Sequence, residues 1–187
     1  MQLNLIAGTW SKKQFAFGAA LLKGSHPKKK RPFRPNLAMH VVVKASRAQG
    51  GQSFFAHNRA IGRIVERQAT KQFVRLYGVT NAGNHLHLLI QAPSQDHLSY
   101  FLRAITGRIA QLIKRPARER FWDARPFSRL VSWGQDFKNV ARYLRLNVTG
   151  ALGFSRDEAR QMFERIRLAI KSGQIAKTPS LIAAGFG

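Results

Sequence analysis

An α+β domain built on a four-stranded antiparallel sheet, with elements in the order β-α-β-β-α-β, is the fold class this sequence predicts. Three observations carry that expectation. Short β-branched runs alternate with longer stretches of helical period. The two middle strand segments are joined by a Gly-bearing turn, as in a hairpin. The chain of 187 residues is 44 % apolar, enough to bury a core of ordinary size.

Taken in order, residues 1–36 read as a basic, extended arm. "GSHPKKKRPFRPN" combines Gly and Pro with Lys28, Lys29, Lys30, Arg31 and Arg34, a composition suited to tracking phosphates. The globular part begins at Leu37, where "LAMHVVVKA" (37–45) is a β-branched strand bounded by Pro35 and Gly50-Gly51. From His57 to about Thr70, Ile61, Ile64, Val65 and Ala69 recur at helical spacing among arginines. "QFVRLYGVT" (72–80) is a second strand, Gly83 supplies a turn, and "HLHLLIQ" (85–91) is the third. Pro93 ends it and Ser94 caps the next helix, in which Leu98, Leu102, Ile105, Ile109 and Leu112 repeat at four-three spacing before Pro116. "PFSRLVSW" (126–133) is a fourth strand, and 135–148 is a helix with Phe137, Val140, Ala141 and Leu144 on its apolar face. Ser155 to Glu158 form a capping box that opens a last helix, within a C-terminal piece of residues 153–187. This is the ferredoxin-like arrangement plus C-terminal helices, with helices on one face of the sheet and the other face left for a ligand. The fold by itself decides no function.

Charge narrows the partners. Thirty-two Lys and Arg face eight Asp and Glu, a formal net charge of +24, which points first to nucleic acid and second to an anionic membrane surface. No run of about 18 uncharged apolar residues is present, so a membrane span is not expected. The chain has no cysteine, which excludes disulfides, thiolate metal sites and cysteine nucleophiles, and suits a cytoplasmic location. The eight carboxylates are scattered, without the clustering that a carboxylate-built two-metal nuclease needs.

"GNHLHLLIQAP" (83–93) carries the sharpest motif. Alternate residues of a strand share a face, so His85 and His87 point the same way about 7 Å apart, with Leu86, Leu88 and Ile90 on the opposite side. Neutral imidazoles so placed can grip one divalent ion, or they can simply decorate the wet side of a sheet. His40, on the first strand, is a possible neighbour that the sequence does not place. On the helix 135–148, Tyr143 and Asn147 lie four apart and so share a face, with Asn139 a turn earlier and Arg142 and Arg145 flanking. A tyrosine beside an apolar stripe is equally suited to packing. Asn147 also suits the cap of a helix that ends before Gly150.

"AGNHLHLLIQAP", then a long helix, then "RFWDARPFSRLV", then "ARYLRLNVTGA" resembles the single-tyrosine HUH transposases, and among them the REP-associated tyrosine transposases. The resemblance spans 37–152. It implies that His85 and His87 bind Mg²⁺ or Mn²⁺, that Tyr143 is the nucleophile, and that Asn147 stands where several relatives carry a glutamine ligand. It further implies single-stranded or hairpin DNA as the substrate, a 5′-phosphotyrosine intermediate, and either a monomer or a homodimer. The residues expected to hold phosphates are those of the arm together with Arg125, Arg129, Lys138, Arg142 and Arg145. Phe121 and Trp122 belong either to the core or to a base-stacking surface. The competing reading is a non-catalytic nucleic-acid-binding protein on the same fold; a replication initiator or relaxase is a third.

Overall fold

The computed structural model describes residues 16–18, 30–113 and 120–151, together with Ser155, Asp157, Glu158, Gln161, Glu164, Arg165 and Leu168. The elements are β1 (Ala16–Phe17), β2 (Ala38–Lys44), α1 (Asn58–Lys71), β3 (Arg75–Asn81), β4 (His85–Gln91), α2 (Gln95–Ile113), β5 (Phe127–Val131) and α3 (Gln135–Ala151). The strands form one antiparallel sheet in the order β1-β5-β2-β4-β3. Apart from β1, this is the expected β-α-β-β-α-β fold.

Alternation along the two central strands divides the molecule into layers. Met39, Val41 and Val43 of β2 and Leu86, Leu88 and Ile90 of β4 enter the main core, where they meet Ile61 and Val65 of α1 and Leu98, Phe101, Ile105 and Ile109 of α2. The opposite side of the sheet, expected to be open, is partly roofed by α3. Val140 and Leu144 sit four apart on that helix, and they bury themselves against Ala38, Leu89 and Val131. An apolar stripe of that kind needs a partner, and the sheet supplies it.

Two departures from the expected boundaries have local causes. The second strand begins at Arg75, not at residue 72, because α1 ends in a Schellman-type cap. Phe73 N–H donates to Thr70 O at 3.2 Å and Val74 N–H to Ala69 O at 2.9 Å, with Phe73 in the left-handed region at φ 52°. In the arm, Ala16 and Phe17 pair with Arg129 and Ser128 as a fifth strand, so this part of the arm is docked. Arg31 is docked as well: it donates to Ser128 Oγ and to Pro126 O, and its guanidinium lies 4.6 Å from the centre of the Phe17 ring. Lys28 and Lys29 lie outside the described residues.

The predicted caps are present. His97 N–H donates to Ser94 Oγ at the start of α2, and Ser155 and Glu158 exchange the reciprocal bonds of a capping box. Phe121 and Trp122 pack on Phe54 at the edge of the main core, and Trp122 Nε1 donates to Thr106 O.

Candidate active site

A hairpin turn places the histidine pair. Asn81 is buried; its Nδ2 donates to Phe54 O and Asn58 Oδ1, and its Oδ1 accepts from Gly83 N–H. Gly83 has φ +82°, and a Cβ there would come within 2.8 Å of the Phe55 ring, so the turn requires glycine. Ala82 N–H then donates to His85 O, starting β4 with His85, His87 and Leu89 on the α3 side.

Both imidazoles are tied at Nδ1. His85 Nδ1 lies 2.7 Å from Asn84 Oδ1, and His87 Nδ1 lies 3.2 Å from His40 Nε2. The His85 and His87 ring centres are 4.8 Å apart. Burial, then Arg129, pushes His40 down to about 3. Burial, then the neighbouring His40 and His85, lowers His87 well below the usual histidine value; burial, then Lys44, lowers His85. All three rings are therefore neutral at physiological pH and keep a lone pair.

Tyr143 reaches this group from α3. Its ring centre lies 5.6 Å from that of His87 and 6.0 Å from that of His40, edge-on to both. It is half-buried between the small second core and the histidines. Asn147, one turn further along α3, is also half-buried. Among the described residues, the buried side-chain nitrogen or oxygen atoms without a hydrogen-bond partner are His87 Nε2 and Asn147 Nδ2. Unsatisfied buried polar atoms are uncommon and mark a place where a ligand atom belongs.

These residues fit a divalent ion. With His85 and His87 held at Nδ1, the Nε2 atoms are the ligating candidates, and a tied Nδ1 is the usual support of a metal-binding histidine. No group of three or more His, Asp or Glu side chains converges as a ligand cluster among the described residues, so a further ligand would come from an amide such as that of Asn147. Two of the carboxylates are engaged elsewhere: Asp123 accepts from Ser46 N–H and Oγ, and Asp136 pairs with Arg129.

The expected phosphate contacts divide into two sets. Lys30, Arg34, Arg125, Lys138, Arg142 and Arg145 are exposed, the last two flanking Tyr143 on α3. Arg129 and Arg31 are instead built into the fold. Arg129 grips both oxygens of Asp136 at 3.0 and 3.1 Å, while burial, then Arg125, lowers Arg31 to about 10. Sequence pattern alone does not separate a docked arginine from a free one.

The profile of the family described as "Transposase IS200 like" matches residues 34–146, which includes His40, both paired histidines and Tyr143. The chain belongs to the IS200-like transposase family. Among solved structures, this transposase is similar to a REP-associated tyrosine transposase bound to a REP hairpin. The TM-score is 0.56 at 11 % identity, over 67 % of this chain and 74 % of that one. A putative transposase from Deinococcus radiodurans R1 aligns with a TM-score of 0.37 at 16 % identity, over 65 % of this chain and 97 % of the other. No curated protein sequence matches. The first structure shares the α+β fold seen here.

Of the sequence-derived site residues, the structure brings together His85, His87 and Tyr143 and sets Asn147 one turn beyond Tyr143. His40, left unplaced by the sequence, stands in hydrogen-bond contact with His87. Its signal lies in the strand register: Val42 pairs with His87, which puts His40 on the same face one residue pair away.

Proposed function

We propose that this transposase is a metal-dependent single-strand DNA endonuclease and strand transferase of the REP-associated type. The observation that supports it best is the convergence of one tyrosine ring and two neutral histidines, beside unpartnered buried atoms on His87 and Asn147.

In this reading the Tyr143 oxygen attacks a backbone phosphorus. The O3′–P bond breaks, leaving a 5′-phosphotyrosine link and a free 3′-hydroxyl, and a later 3′-hydroxyl attacks the link and restores the phenol. A phosphodiester is thus exchanged for a phosphodiester, with no external energy source. Mg²⁺ or Mn²⁺ held by His85, His87 and the Asn147 amide would supply Lewis-acid stabilisation of the charge that develops on the phosphate. The residues of the chain do the rest. The histidines form one wall of the site, α3 presents the phenol, and the exposed Arg142 and Arg145 on either side of it hold flanking phosphates. As placed, the Asn147 Nδ2 is buried without a partner, and a half-turn of the amide would present its oxygen there instead. The hairpin seen in the related complex makes hairpin-bearing DNA the first substrate to try.

The test is a denaturing gel with labelled hairpin-containing DNA, with and without Mn²⁺. Cleavage and a covalent adduct are expected with the native protein, and Tyr143→Phe removes both while DNA binding persists. An adduct that survives this substitution sinks the nucleophile assignment. Full cleavage by His85→Ala and His87→Ala without metal favours the binding-protein reading.

A further inference from the structure

We propose that His40 is a positioning residue: it accepts the Nδ1 proton of His87 and so reserves the Nε2 lone pair of His87 for a divalent cation. The inference rests on the assignment of His87 as a ligand in the preceding section.

A neutral imidazole carries one N–H, and the partner of each nitrogen decides which one carries it. The contact between His40 Nε2 and His87 Nδ1, 3.2 Å long, has room for a single proton. If His40 donates, His87 bears its proton on Nε2, where the structure offers that atom no partner and a cation finds no lone pair. If His40 accepts, every atom of the contact is satisfied and Nε2 is open. The neighbouring histidine shows the same design. Asn84 Oδ1, 2.7 Å from His85 Nδ1, can only accept, so His85 Nε2 is left unprotonated.

The scaffold behind His40 is suited to the task. β2 is bonded on both sides, to β4 through the pair His40 and Leu89 and to β5 through His40 and Arg129. The two rings lie nearly parallel, 12° apart, while Phe127 and Tyr143 meet the His40 ring edge-on. The ring is therefore delivered by a central strand and confined on its other sides.

Mn²⁺ binding to the full chain, read by isothermal titration calorimetry without DNA, tests the idea. His40→Leu fills the space but cannot accept, and should weaken Mn²⁺ binding about 10- to 100-fold, the usual effect of removing such a support. His40→Gln offers an amide oxygen and should restore most of the affinity. Equal loss in both variants, or no loss in either while His87→Ala abolishes binding, overturns the inference and leaves the ligand assignment standing. Equal Mn²⁺ binding by the native chain and His87→Ala overturns the ligand assignment itself, and this inference with it. Imidazole ¹⁵N spectra of the native protein with Mg²⁺ need no variant: His87 protonated at Nδ1 supports the role, and protonation at Nε2 refutes it.

Discussion

Acid should weaken this protein from about pH 6.5 downward, and one cause can be traced to His40. The ring is buried beside Arg129, whose charge disfavours a second cation, and its pKa falls from 6.5 to about 3. The folded state is therefore stabilised fully above pH 6.5, where the ring is neutral in both states. That stability is lost as pH falls below 6.5, because the unfolded chain takes up a proton the folded chain refuses. Each pH unit in this window costs about 1.4 kcal/mol, so His40 alone removes about 2 kcal/mol by pH 5. His85 and His87 are lowered too, and act in the same direction. With a urea slope of about 1–3 kcal/mol/M, the unfolding midpoint should drop by roughly 1 M between pH 7 and pH 5. The assay is urea unfolding followed by tryptophan fluorescence at pH 5, 6, 7 and 8, for the native chain and His40→Gln. The variant should lose about 1.4 kcal/mol per pH unit of that slope. Identical pH profiles for the two proteins would refute the reasoning.

Other perturbations probe separate parts of the structure. Gly83→Ala forces a side chain into a φ of +82° and against the Phe55 ring, and should cost about 1–3 kcal/mol in thermal unfolding and weaken Mn²⁺ binding through the displaced His85. Phe73→Gly relieves an exposed left-handed residue at the end of α1 and should raise stability by about 1 kcal/mol; a lower melting temperature counts against the strain. Leu144→Ala removes a buried anchor of α3 and should cost about 2–5 kcal/mol, with faster amide exchange in α3 than in β2 and β4. Arg142→Ala and Arg145→Ala should each lessen the salt dependence of single-strand DNA binding, by a log–log slope of about 0.7 for every phosphate the variant no longer neutralises.

The layers of the sheet are legible because period-two alternation is strict in "LAMHVVVKA" and "HLHLLIQ", and a single register satisfies both. The hairpin is legible from Gly83, and the shared face of His85 and His87 follows from their spacing. The docking of α3 is not: an amphipathic stripe states that a helix needs a partner and is silent about which side of a sheet provides it. His40 is hidden for a similar reason, since its partner lies 47 residues away and becomes visible only through strand register. Arg129 and Arg31 look like any other basic residue until Asp136 and Ser128 are seen beside them. The Schellman cap escapes a sequence reading because phenylalanine occupies a position where glycine is customary.

The two halves of the candidate centre are anchored with unequal strength. The imidazoles stand on a central strand, whereas the phenol rides on a helix fastened by Val140 and Leu144, by the Asp136–Arg129 pair at its start and by Thr80 Oγ1 donating to Leu144 O. Burial of two such side chains amounts to roughly 3–6 kcal/mol. A helix laid on one face of a sheet is the kind of element that opens locally, so α3 is expected to detach before the sheet melts. On the proposed assignment of Tyr143 as nucleophile, the phenol and the imidazole wall are separable parts, and a strand tethered to the tyrosine would have a way to swing clear and return while the sheet keeps its shape.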